Sequence, residues 1–215
     1  MSSIVVAGDT SGSVTLQAPA VAGSSVLTLP VATDTLVGKA TTDVLTNKTL
    51  GSGLVAGASL LTSGTAQAST SGTSIDFTSI PSWVKRITVM FYNVSTNGTA
   101  TVQIQLGTSA GPTTSGYLTS TWEFYASSSA STTGFNLDRV GSAVSNTTVR
   151  SGQVQFCNIT GNTWTGVGQI ARTDIASTNA IQGAVPLAST LDRIRITTVG
   201  GTDTFDAGSI NIMYE

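Results

Sequence analysis

The residues best placed to do chemistry are carboxylates. Glu123 is the only glutamate before Glu215 and sits in Thr121-Trp122-Glu123-Phe124-Tyr125, an acid among aromatic rings, where a raised pKa can arise. Asp138, Asp174, Asp192, Asp203 and Asp206 are the acids that could complete a glycosidase pair, which needs two carboxyl groups about 5 to 9.5 Å apart. The plainer reading, and the one adopted, makes Glu123 an outward-facing acid on a strand whose alternating neighbours are buried. Asp203 and Asp206 flank Phe205 in a Gly-rich turn and could lend oxygens to Ca²⁺. That ion takes about six to eight oxygens, and turn aspartates commonly bond their own backbone. The sequence has no histidine, so Ser-His-Asp and Cys-His nucleophile systems cannot be assembled, and the most usual general base is missing. No catalytic residue, metal ligand or cofactor is assigned. The chain is read as a non-enzyme, with a carbohydrate-active enzyme centred on Glu123 as an alternative.

Tyr117, Trp122, Tyr125 and Trp164 are the aromatic residues nearest to loops or polar neighbours. Flat rings stack on the apolar faces of sugars while Asn, Gln and Thr on adjacent strands supply hydrogen bonds, so these four are the candidate glycan contacts. The competing reading for each is core packing. Trp83 is read as packing beneath a loop.

The elements that would position them are strands. Only 9% of residues are charged and 40% are apolar, with abundant Gly, Ser and Thr, a profile of β-structure joined by many turns. Period-2 alternation puts Ile87, Val89 and Phe91 on one face, and likewise Val102, Ile104 and Leu106 against Gln103 and Gln105. The same holds for Val154 and Phe156, for Ile194 and Ile196, and for Ile210, Ile212 and Tyr214. Thr96-Asn97-Gly98, Ser109-Ala110-Gly111-Pro112, Thr160-Gly161-Asn162 and Val199-Gly200-Gly201 are turn signals. Ser127 to Gly134 reads as an exposed loop, and Asp174 to Ala180 is the longest, weak helix candidate. The pattern predicts an all-β protein: an extended amino-terminal β arm followed by an antiparallel β-sandwich of jelly-roll type.

All the Phe, Trp and Tyr residues lie from Phe77 onward. The first sixty residues therefore form a thin arm that is marginal alone, whereas a body of roughly 150 residues buries about 70% of its unfolded surface. The stretch from Gly51 to Gly72 reads as a linker or neck, giving domains at 1–60 and 61–215. The net charge is −2 and the basic residues are scattered, so no nucleic-acid partner is expected. The pairs Lys85-Arg86 and Arg193/Arg195 read as solvated strand ends or edges. Cys157 reads as a small, semi-buried residue. The N-x-[ST] tripeptides at Asn47, Asn93, Asn97, Asn146 and Asn158 read as chance in so Thr-rich a chain. No charged-then-apolar leader opens the sequence and no apolar run reaches the roughly 18 residues of a membrane span, so a soluble product without membrane insertion is expected.

The arm carries a more specific signal. Gly12-Ser13-Val14-Thr15-Leu16 with Ala18-Pro19, then Leu27-Thr28-Leu29-Pro30, Thr35-Leu36-Val37-Gly38, and Leu45-Thr46-Asn47-Lys48-Thr49-Leu50 preceded by Asp43, resembles the amino-terminal region of tail-fibre and related virion proteins of tailed bacteriophages. The stretches Asp192 to Thr197 and Phe205 to Ile212 look like the closing strands of small β-sandwich domains in phage fibres. The resemblance implies a homotrimer on the exterior of the virion. It would be attached to other virion proteins, of tail, baseplate or capsid, through Val14, Leu16, Leu27, Leu29, Leu36, Val37, Leu45 and Leu50. Its carboxy-terminal sandwich would face a host-surface glycan or protein. Most such fibres carry a shaft of repeats that this sequence lacks, which leaves open a short fibre, an adaptor or a head-decoration (cement) protein. Short Val/Leu runs with unpaired edges gain partners when copies wrap together, so the physics agrees with assembly.

Overall fold

The computed structural model describes residues 3–17, 21, 61–124 and 126–215, and the chain divides into two compact units, Met1–Leu54 and Val55–Glu215. Tyr125 and the arm residues Leu27, Leu29, Leu36, Val37, Leu45 and Leu50 lie outside the described residues.

In the first unit, β1 (Ser3–Ala7) and β2 (Ser13–Gln17) form an antiparallel hairpin with Val5 opposite Thr15. Val14 and Leu16 lie on β2. The turn closes through the Gly8 N–H, which donates to the Gly12 carbonyl at 2.9 Å. Gly12 has a φ of 76°, a conformation in which a side chain would be strained. Ile4, Val5 and Val6 are consecutive and all exposed, so both faces of the hairpin present aliphatic surface to solvent.

The second unit holds β3 (Thr62–Ser63), β4 (Gln67–Ala68), β5 (Ser74–Phe77), β6 (Arg86–Thr96), β7 (Val102–Thr108), β8 (Gly111–Pro112) and β9 (Leu118–Glu123). It continues with β10 (Ser128–Ser131), β11 (Phe135–Asn136), β12 (Arg150–Thr160), β13 (Thr163–Arg172), β14 (Ser177–Pro186), β15 (Arg193–Thr198) and β16 (Phe205–Tyr214). Among the described residues there is no helix, and all strand pairings are antiparallel. The larger sheet runs β10-β9-β14-β13-β12-β6-β16-β3, with β4 also on β16; the smaller runs β11-β7-β15-β5, with β8 on β7. The chain crosses between the sheets at β4–β5, β5–β6, β6–β7, β8–β9, β10–β11, β11–β12, β14–β15 and β15–β16, while β12, β13 and β14 form a hairpin meander.

The two sheets pack as a sandwich over the expected inner sets: Ile87, Val89, Phe91, Val154, Phe156, Ile210 and Ile212 from the larger sheet, and Val102, Ile104, Leu106, Ile194 and Ile196 from the smaller. Phe135 on the smaller sheet meets Phe156 on the larger at 4.9 Å between ring centroids and 73°, a favoured edge arrangement. Gly166 makes room for both rings, since a Cβ there would lie 2.6 Å from Phe156 and 2.7 Å from Phe135.

Four local expectations change. β7 is buried on both faces rather than half-buried, because Gln105 donates to the Thr133 carbonyl at 2.9 Å and Gln103 accepts from the Thr133 hydroxyl at 3.1 Å, which seats the 132–134 segment over its polar side. The Ser-rich run from Ser127 is an edge strand, β10, paired with β9. Within the expected linker, β3 and β4 pair with β16 and belong to the sandwich. The helix candidate at Asp174 is a turn leading into β14.

Candidate functional site

Glu123 points inward, and this corrects its reading as an outward acid. The inner face of β9 is the polar set Thr119, Thr121 and Glu123, and the outer face carries Leu118, Ser120 and Trp122. The phase is polar-inside because partners wait there. The Thr119 hydroxyl donates to the Gly134 carbonyl at 2.8 Å and that of Thr121 to the Asn136 carbonyl at 2.7 Å. Glu123 accepts from Arg139 Nε at 3.1 Å and from the Ser142 hydroxyl at 3.0 Å, with Arg172 Nη1 at 3.6 Å.

These contacts belong to a buried charge cluster. Arg172 donates to Asp174 at 2.6 and 3.2 Å, and Arg150 Nε donates to both oxygens of Asp138 at 2.8 and 3.0 Å. Three guanidinium groups face three carboxylates, so the net charge buried is zero. Burial pushes the Asp138 carboxyl above its ordinary value although Arg150 and Arg172 pull the other way. Desolvation also raises Asp174, but there the hydrogen bonds from Arg172 and Thr148 outweigh it and hold the carboxyl below its ordinary value. The chemistry this arrangement supports is structural: Glu123's oxygens are engaged by Arg139, Ser142 and Arg172 rather than aimed across a cleft at a second free acid.

The aromatic candidates separate. Tyr117 and Trp164 are core residues, a correction to their reading as glycan contacts. Tyr117 is fully buried against Phe135, and its hydroxyl bonds the Leu106 N–H at 2.9 Å and the Thr113 carbonyl at 3.0 Å. Burial pushes that phenol above its usual range. Trp164 is 3% exposed on the inner face of β13. Trp122 is 54% exposed and lies 5.7 Å from Phe124, with ring planes 3° apart. Trp83 is also exposed, tilted against Tyr214 at 5.9 Å.

Asp203 and Asp206 serve their own turn region. Asp203 Oδ2 accepts from the Ala100 N–H at 2.7 Å, and Asp206 accepts from the Ser95 hydroxyl. Among the described residues no cluster of three or more His, Cys, Asp or Glu could hold a metal ion. Arg195 is half-buried, forking onto Asp76 at 2.7 and 2.8 Å rather than lying free at an edge. Cys157 is half-buried and free.

The outer face of the larger sheet brings together residues that sequence spacing leaves scattered. One cross-strand row reads Ser128, Trp122, Ala180, Gln169, Gln153, Met90, Asn211, and its neighbour reads Ala130, Ser120, Gln182, Val167, Gln155, Thr88, Met213. Neither row contains a charged residue. Across seven strands each spans roughly 29 Å at the usual strand spacing. Gln153, Gln169 and Gln182 are exposed, and among the described residues their side-chain amides have no hydrogen-bond partner within the chain. A shallow basin of about 670 Å³ lies over Gln153, Gln155, Val167, Gln169 and Gln182. A second hollow of about 320 Å³, lined by Phe124, Gln169 and Ala176 to Thr178, shares Gln169 with it. Ala176 at its rim has a φ of 49°, uncommon for a residue with a side chain.

The sequence singles out Trp122 and expects Gln on adjacent strands to supply hydrogen bonds, but it does not single out Phe124 or say which glutamines share the face. The signal available was the Gln153/Gln155 alternation opposite Val154 and Phe156. The chain matches no protein-family model, no curated protein and no solved structure.

Proposed function

We propose that this protein is a non-enzymatic structural component of a bacteriophage virion, a subunit of a short trimeric tail fibre whose carboxy-terminal sandwich binds the host surface. The observation that carries the binding half is the pair of uncharged rows across the outer face of the larger sheet, with unpartnered glutamine amides beside the exposed Trp122–Phe124 pair. That face has donors, acceptors and flat rings but no charged side chain in its two central rows. The assembly half rests on the resemblance of the arm and on the aliphatic surface of the β1–β2 hairpin. An isolated two-stranded hairpin is marginal in water and gains from added strands or copies. Three copies displaying one weak site each would bind a cell by avidity. The engagement of Glu123 by Arg139, Ser142 and Arg172 weighs against the carbohydrate-active enzyme.

The experiment is adsorption to host cells. Purified protein should coat the cells and block infection, and Trp122→Ala should reduce coating at least tenfold without unfolding the domain. Cryo-EM of the particle should locate the copies at the tail; copies over the capsid lattice would replace the tail-fibre reading with that of a head-decoration protein.

A further inference from the structure

Resting on that host-binding reading, we infer that the two uncharged rows on the outer face of the larger sheet are a site for a neutral glycan, laid across the strands from the basin over Gln153 and Gln182 toward Trp122 and Phe124. Four features of the face select this chemistry. Its central rows hold no Lys or Arg, so phosphate, sulfate and uronate groups would lose their hydration without gaining a cation. They hold no carboxylate, so a cationic partner gains nothing either. The exposed amides of Gln153, Gln169 and Gln182 each offer both donors and an acceptor, and a chain of hydroxyl groups, itself donor and acceptor at each position, can satisfy them along its length. Val167, exposed between the glutamines, and the near-parallel rings of Trp122 and Phe124 supply the apolar surface that a sugar's C–H face covers.

A second protein surface fits this face less well. The core of a protein interface is more apolar than the surface around it, whereas here the apolar groups are separated by amides and hydroxyls that would each need a matched partner. The two hollows are both open and share Gln169 in their linings, an arrangement suited to an extended chain rather than to a single enclosed sugar. The site reads hydroxyl pattern and shape, not charge.

Affinity electrophoresis of the full-length protein through gels containing mannan, dextran, galactan or polygalacturonate tests this. At least one of the three neutral polymers should retard the protein, with an apparent Kd unchanged within twofold between about 0.05 and 0.5 M salt, since no ion pairs are made. Polygalacturonate should not retard it. The double variant Gln153→Ala/Gln169→Ala changes only exposed side chains and should weaken retardation at least tenfold while keeping the wild-type melting temperature and solution mass. Tighter binding to polygalacturonate, no retardation by any neutral polymer, or full retardation of the double variant would overturn the inference. A double variant that loses its oligomeric state instead would assign the face to contact between copies and overturn it equally. The two readings fail separately. Loss of cell adsorption in Trp122→Ala with no neutral-glycan retardation leaves the host-binding reading standing, whereas retardation by a neutral polymer in a protein found over the capsid lattice leaves only the glycan site.

Discussion

Arg150 and Asp138 form a fully buried ion pair, the guanidinium Nε lying 2.8 and 3.0 Å from the two carboxylate oxygens and neither side chain reaching solvent. Arg150 Nη1 donates to the Thr148 carbonyl at 3.3 Å, while Nη2 has no partner. With Arg172, Glu123 and Asp174, the pair ties the segment from Asp138 to Thr148 to β9, β12 and β13 at one end of the sandwich.

Removing one partner of such a pair strands a charge in the interior. Arg150→Met should destabilise the domain by about 3 to 5 kcal/mol, and the double variant Arg150→Met/Asp138→Leu should recover most of that loss. Urea unfolding of the two variants beside wild type checks both statements; a double variant as unstable as the single one would mean that the pair organises more than its own charges.

Asp174 makes an acid-side contribution whose sign is fixed. Its carboxyl is held below the ordinary value when folded, so the stabilisation is present above the unfolded value of about 3.9 and is lost as pH falls through the folded value. Asp138, raised by burial, acts in the opposite sense: its contribution is complete below the unfolded value and lost as pH rises through the folded one. Asp174→Asn should therefore lower the urea midpoint at neutral pH and narrow the difference from wild type as the solution is acidified. A gap that widens in acid would contradict the assignment.

The two tryptophans should behave as opposites. Trp164→Ala removes a buried ring and should cost about 3 to 5 kcal/mol. Trp122→Ala changes an exposed one and should stay within about 0.5 kcal/mol of wild type while weakening cell adsorption. Thermal melts alongside an adsorption assay separate the two effects.

Tyr117→Phe keeps the ring but leaves the Leu106 N–H without its hydroxyl partner. The expected cost is about 1 to 3 kcal/mol, with glycan and cell binding unchanged because the residue has no exposed surface. Denaturant titration with a parallel binding measurement is sufficient.

Solution mass tests the arm. Full-length protein should run as a trimer in light scattering and a chain beginning at Leu61 as a monomer, because the aliphatic hairpin is lost while the sandwich keeps its core. A trimeric truncated form would move the subunit contacts to the sandwich.

Much of the sandwich was legible because β6, β12, β15 and β16 alternate Ile, Val or Phe with polar residues, so periodicity alone names the inner face. β9 was not. Its inner residues are Thr119, Thr121 and Glu123, whose burial depends on carbonyls and guanidinium groups supplied from elsewhere in the chain, and apolar alternation turned Glu123 outward. β10 carries no apolar signal; Ser128 to Ser131 are a strand because β9 offers them an edge. The proposed binding face was legible only as a list of aromatics, of which Trp122 is exposed while Tyr117 and Trp164 lie in the core.

The sequence by itself determined that this is an all-β chain with an aromatic-free arm and no histidine chemistry, because composition and period-2 alternation are local properties. Strand register was decided only in three dimensions. It put Gln169 beside Gln153, Trp122 beside Ala180 and Arg172 within reach of Glu123, since cross-strand neighbours are fixed by which backbones pair and by the side chains that each sheet must cover.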